Sequence, residues 1–207
     1  MYNPPHFTMS DVKAVQSFVA ENVFATIAGT LGNSIHFAYA PIVLELEPGS
    51  LGRVRFHLAR ANPMAGIEDG TELKLSFLGP HAYVSPDWYE TPDQVPTWNY
   101  VAAEAIGKAR RLSEPALRKL LSDLSAQEEK LLSPKPPWQL GKLSEGRLEQ
   151  LLPAIIGFEL VFDALEGKSK LSQNRAKADA AGVIAALEAR GDSASLGVAA
   201  AMRKIPR

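Results

Sequence analysis

At 207 residues, with 46% hydrophobic and 22% charged residues, the chain can bury roughly 70% of its unfolded surface; this predicts one domain, or one domain with a helical appendage. It has no cysteine, so disulfides, thiolate zinc sites and cysteine nucleophiles are excluded, and redox chemistry would need a bound cofactor. A net charge of −1 gives no general attraction for DNA, and the polar start MYNPPHF and the lack of any apolar run of about 18 residues predict a cytoplasmic protein without a membrane span.

Ser10 reads as an N-cap for a short amphipathic helix over about 10–21, with Val12, Val15 and Val19 at helical spacing. Segments 23–28 and 34–44 flank the turn GTLGN and predict a β-hairpin with a loop of several residues, with Pro41 at a bend or edge. In RVRFHL, Val54, Phe56 and Leu58 alternate with Arg53, Arg55 and His57, as in a strand with one buried side.

The stretch HLARANP, residues 57–63, then closes that strand and opens a short helix. Asn62 reads as its N-cap and Pro63 as its first residue. Arg60 beside them makes a corner suited to a phosphate-bearing ligand.

Further strands are expected at 72–78, 81–85, about 97–106 and 157–165, with a proline-rich loop over 86–96. Leu117, Leu120, Leu121, Leu124 and Leu131 mark a helix capped by Ser113, and a basic helix is expected over 108–119, with Lys108, Arg110, Arg111, Arg118 and Lys119. After a linker, SPKPPWQLG, a helical piece is expected at about 144–152. Helices through Ala180, Val183, Ile184 and Leu187, and at roughly 193–203, end the chain. The whole reads as a mainly β, α+β protein: a small barrel-like β domain with helical decoration.

Taken together, MYNPPHF, HLARANP, GPHAYVSPDWY, VPTWNY and LEGKSKLSQN resemble, in the same order and over nearly the whole chain, the PaiB-like FMN-binding negative transcriptional regulators. That family is related to the pyridoxamine phosphate oxidases. The resemblance implies an FMN-binding split β-barrel over residues 1–207, with a helical excursion at about 108–152 and C-terminal helices at about 174–203. It also implies a homodimer with FMN at the subunit interface. The chain departs from the family pattern at Met64-Ala65, where a Gln-Trp pair is common, at Glu104, often His, and at Ser169, often Trp.

FMN requires donors for its phosphate, a wall for its ring and polar groups at the ring's edge. Arg60 with the Asn62 helix start is the phosphate candidate, and His57 is a donor to phosphate or flavin edge. Trp88, Tyr89 and Trp98 offer ring walls. Thr97 and Asn99 point away from Trp98 in an ideal strand, so one face should dominate.

In LSQN, Ser172 and Gln173 are polar contacts and Asn174 reads as a helix N-cap, with Lys168 and Lys170 adding charge nearby; in a dimer this loop would complete the partner's flavin site. No catalytic residue is assigned, and the histidines at 6, 36, 57 and 81 lack metal-ligand spacing. Three roles stay open: a flavin-binding repressor, acting directly or through a partner, an FMN-dependent oxidoreductase, and a flavin-storage or scaffold dimer. Direct DNA reading is not supported by charge, since acids follow the basic segment at 123, 128 and 129.

Overall fold

A computed structural model describes residues 1–206. The chain gathers into two compact units made of interleaved segments. A sheet unit comprises 19–77 and 104–165, and a terminal unit comprises 1–18, 78–103 and the residues from 166 onward.

In the sheet unit, alternating apolar residues build strands β1 (Phe24–Leu31), β2 (Ser34–Pro41), β3 (Val43–Glu45) and β4 (Arg53–Ala59). To these are added the first part of β5 (Glu72–Val84), the last part of β6 (Thr97–Arg111) and the first part of β7 (Ile155–Lys170). Among the described residues the sheet order is β2-β1-β5-β6-β7-β4-β3, and the pairings β1–β2, β1–β5, β3–β4 and β4–β7 are antiparallel. Phe56 and Phe158, opposite each other in register, stack at 5.5 Å between ring centroids in the core. Gly107 is required where β6 meets β7, because a Cβ there would lie 2.1 Å from the Val161 carbonyl oxygen.

The hairpin turn is tighter than its sequence suggests. Leu31 pairs with Ser34, leaving only Gly32 and Asn33 in the turn, with Gly32 at φ +58°. Pro41 ends β2, an edge strand, where its missing N–H costs no ladder bond.

Three strands run further than expected. The segments at 72–78 and 81–85 are one strand, β5, whose buried positions shift from Leu73, Leu75 and Phe77 to Ala82 and Val84 across Gly79-Pro80. β6 continues to Arg111 because burial alternates unbroken through Ala105, Gly107 and Ala109; Lys108, Arg110 and Arg111 therefore lie on a strand, which corrects the basic helix expected there. β7 continues to Lys170, so the LEGKSK segment is strand.

Helix α2 (Glu114–Glu129) covers the polar face of β4. Arg55 on that face is buried and paired with Glu45 and, at 2.5 Å, with Asp123 of the helix, so this strand is covered on both sides. Leu117, Leu120 and Leu124 form a second small core with Leu152, whereas Leu131 falls beyond the helix and is exposed. A short helix α3 (Arg147–Leu151) follows.

The terminal unit holds most of α1 (Val12–Glu21), the rest of β5, β6 and β7, and helices α4 (Lys177–Arg190) and α5 (Ser193–Arg203). Val15, Val183, Leu187, Val198 and Met202 are among its buried residues. The N-cap of α4 is Ala176; Asn174 falls two residues short of it, because a turn closed by the Arg175 N–H on the Ser172 carbonyl intervenes. Asp179 on α4 ties down the proline-rich loop by accepting from the Glu90 and Thr91 N–H groups, each at 2.9 Å, and from the Thr91 hydroxyl at 2.7 Å.

Candidate functional site

A pocket of about 140 Å³ lies wholly in the terminal unit, lined by Phe7, Tyr89, Thr97, Asn99, Lys170, Ser172, Asn174 and Arg175. Strand alternation accounts for its floor: Thr97 and Asn99 share one face of β6, while Trp98 between them points the other way and is 53% exposed. The end of β7 supplies Lys170, and the turn after it supplies the rest. Ser172 takes φ +62°, a left-handed conformation that turns the chain sharply.

The polar groups of the pocket are held in place. Asn99 Nδ2 donates to Ser172 Oγ at 2.9 Å, and both residues are buried. Lys170 Nζ donates to the Thr97 hydroxyl at 2.5 Å and to the Trp98 carbonyl at 2.8 Å. The Arg175 guanidinium lies over the Tyr89 ring at 5.2 Å and donates to Gln94.

The pocket is electropositive. Neither Lys170 nor Arg175 has a carboxylate salt-bridge partner among the described residues, and no carboxylate lines the pocket. Burial, and then the positive charges of Lys168 and Arg175, hold the Lys170 ammonium below the ordinary lysine value. Lys168 itself is buried between the Tyr2 and Tyr100 rings, at 5.4 and 5.3 Å, and bonds the Tyr2 carbonyl. Tyr89 contributes a buried hydroxyl without a hydrogen-bond partner.

This donor set fits a phosphate: two cations without a salt bridge among the described residues, an orphaned phenol, two hydroxyls and two carboxamides. The volume corresponds to about five waters, enough for a phosphate and the start of a polyol chain and too small for an isoalloxazine ring.

Of the residues singled out in the sequence, Tyr89, Thr97, Asn99, Lys170, Ser172 and Asn174 therefore come together. Gln173 does not join them; it accepts from the Leu171 N–H at 2.7 Å and donates to the Ser169 carbonyl, bracing its own loop. Trp88 is half-buried, with its carbonyl packed where a side chain at Gly182 would stand. Trp98 groups with His81 and Tyr83, at 6.4 and 6.1 Å between ring centroids.

Phe7 and Arg175 were not singled out as ligands. Arg175 directly follows LSQN and Phe7 closes MYNPPHF, so adjacency to the motifs was the available signal.

The HLARANP residues lie in the sheet unit. Asn62 caps a single 3-10 turn, Pro63–Gly66, its side chain accepting from the Met64 N–H at 2.9 Å. Arg60 gives its backbone N–H to the Ala154 carbonyl and its Nε to the Pro153 carbonyl. Its guanidinium borders a groove of about 560 Å³ with Arg111 and Arg118, and with the carboxylates Glu114 and Glu149, which pair with Arg118. His57 faces a different, mainly apolar cavity under α2.

Comparison with known proteins identifies a flavin-binding family. Residues 1–164 match the family described as "Putative FMN-binding domain". The chain is 32% identical over 189 residues to "Protease synthase and sporulation protein PAI 2" of Bacillus subtilis, covering 91% of this chain and 89% of that protein. It is also 32% identical to the uncharacterized protein AN0679 of Emericella nidulans, covering 94% and 93%.

Among solved structures it is similar in fold to the FAD and heme binding protein from Mycobacterium smegmatis, with a TM-score of 0.58 and 13% identity over 84% of this chain and 78% of that one. It is likewise similar to the flavocytochrome Anf3 from Azotobacter vinelandii, with a TM-score of 0.55 and 14% identity over 84% and 75%. With an antiparallel sheet of split-barrel type and a family match over most of its length, the chain belongs to the FMN-binding domain family, resembles PaiB, and has FMN as its cofactor.

Proposed function

We propose that this protein is a homodimeric, FMN-binding regulator that takes the phosphate end of the flavin into the Lys170–Arg175 pocket. The observation that carries this reading is the pairing of two cations without carboxylate partners with a buried, unpartnered Tyr89 hydroxyl. Lys170 and Arg175 neutralise the phosphate, Tyr89 and Ser172 hydrogen-bond to it, and Asn99 holds Ser172 in position. Bound FMN supplies one- and two-electron redox chemistry; the protein's part is to bind and orient it.

The ring needs cover that the pocket does not provide, and a second copy is the natural source. On edge strand β2, Ile35, Phe37 and Tyr39 share one exposed face, at 70%, 61% and 65% exposure, and Phe24 joins them opposite Pro41. A continuous apolar row of this kind marks an interface.

A regulatory role fits the PAI 2 relative, whose name refers to protease synthesis and sporulation. Regulation through a protein partner is favoured over DNA reading, because Arg110 pairs with Glu159, Arg118 with Glu114 and Glu149, and Lys119 with Asp123. DNA affinity should accordingly be weak and steeply salt-dependent.

A second phosphate position is favoured by one observation: only the Nε of Arg60 is engaged among the described residues, leaving its terminal nitrogens for an anion in the 560 Å³ groove. Glu114 and Glu149 in that groove oppose an anion, which ranks it second.

Titration with FMN and with riboflavin, followed by visible absorbance and flavin fluorescence, tests the phosphate requirement. FMN should bind much more tightly than riboflavin, and equal affinities would remove the phosphate site from the reading.

A further inference from the structure

The sheet unit contains a second cavity, of about 660 Å³, between α2 and the segment 138–155. Its wall includes seven leucines with Ile155 and Trp138, and its volume lies within the range of small-molecule sites. None of its lining residues belongs to the Lys170–Arg175 pocket.

A gap under a helix could be mere loose packing. Two features separate this one from a dry void, which would have only apolar walls. The first is His57, whose side chain reaches the cavity from the polar face of β4. Its Nδ1 is buried without a hydrogen-bond partner, and burial holds its pKa below the ordinary histidine value, so the ring is neutral at pH 7. A neutral imidazole whose Nδ1 is sealed off can offer its other nitrogen, Nε2, to one polar group.

The second feature is charge. Glu128 and Glu129 also line the cavity. Glu129 is engaged by Lys135 and by the Trp138 N–H at 2.9 Å, while Glu128 has no salt-bridge partner among the described residues. An anionic guest would meet these carboxylates, so the cavity suits a neutral or cationic one.

We propose that this cavity is a binding site, separate from the flavin site, for a small molecule with an aromatic or branched aliphatic body and a single neutral or cationic polar group, anchored by His57. The leucines of α2 and of the 140–152 segment flank the body from two sides, and the Ser125 hydroxyl, which donates to the Leu121 carbonyl at 2.8 Å, is left to accept a hydrogen bond. Because His57 is paired in register with Gly157, a guest would rest on the adjoining strands β4 and β7. Such a guest is suited to act as an effector.

The test uses the FMN-loaded protein and the neutral apolar amine N-phenyl-1-naphthylamine, whose emission rises in apolar surroundings. Saturable enhancement is expected, with energy transfer from Trp138 that Trp138→Phe removes. Leu143→Trp and Leu148→Trp, each filling the cavity from a different place, should each weaken binding about tenfold or more. His57→Leu keeps the apolar wall and loses the anchor, so a loss of about 2- to 10-fold is expected.

Retained FMN absorbance and an unchanged far-UV spectrum show that a variant is folded. The proposal is overturned if no saturable enhancement occurs, if excess FMN displaces the probe, or if folded Leu143→Trp and Leu148→Trp proteins bind it like the wild type. A dependence of enhancement on protein concentration, with no effect of either tryptophan, would assign the surface to a second copy instead.

Discussion

The Asn99 carboxamide donates to the Ser172 hydroxyl at 2.9 Å, joining strand β6 to the left-handed turn after β7. Ser172 is held at φ +62°, where a non-glycine residue is strained by about 1–2 kcal/mol. Glycine would relieve that strain but lose a hydrogen bond worth about 0.5–1.5 kcal/mol. Ser172→Gly should therefore leave the unfolding midpoint nearly unchanged while weakening FMN binding. Asn99→Leu should destabilise the fold by about 1–3 kcal/mol, measured by denaturant unfolding, because it removes a buried side-chain hydrogen bond between β6 and the turn after β7.

Lys170→Met keeps the aliphatic stem and removes the charge. If the phosphate sits in the terminal-unit pocket, FMN affinity falls by roughly 10- to 150-fold, the worth of one charge-assisted bond, while riboflavin affinity is unchanged. Arg60→Ala is the matched control for the second position. An FMN loss confined to Arg60→Ala would move the phosphate to the groove beside Pro153, and equal losses in both variants would implicate both residues.

The exposed row on β2 predicts that Phe37→Asp dissociates the dimer, since a carboxylate placed in an apolar interface must be desolvated without a partner. Light scattering at micromolar concentration should give a dimer mass for the wild type and a monomer mass for the variant. A monomeric wild type with tightly bound flavin would defeat the interface reading.

Part of the acid sensitivity should lie where α2 meets β4. Burial tends to raise the Asp123 pKa, but bonds from Lys119 at 2.7 Å and Arg55 at 2.5 Å outweigh it, leaving the value below the ordinary aspartate range. A folded-state pKa below the unfolded one means that the carboxylate stabilises the fold above about pH 4, its unfolded value, and that this contribution is lost as pH falls through the folded value. Asp123→Asn should be less stable than wild type at pH 7 and should lose less on going to pH 3. Parallel pH dependence of the two proteins in urea unfolding would assign the acid response elsewhere.

The motifs and their order were legible in the chain because they are local. Asn62 caps its turn through a contact two residues away, and Thr97, Trp98 and Asn99 alternate because a strand has a period of two. Family, cofactor and the α+β, split-barrel class followed from such segments.

Element ends were less legible. Lys108 and Arg110 read equally well as a basic helix face until the buried Gly107 and Ala109 are seen to continue the alternation. Only the tertiary structure decided which polar residues share a site. Lys170 reaches Thr97 across 73 positions of sequence, Arg55 is buried because α2 lies over it, and His57 faces leucines rather than phosphate donors. Each of these is set by which elements pack against one another, and a pattern confined to one strand or turn carries no information about the element that covers it.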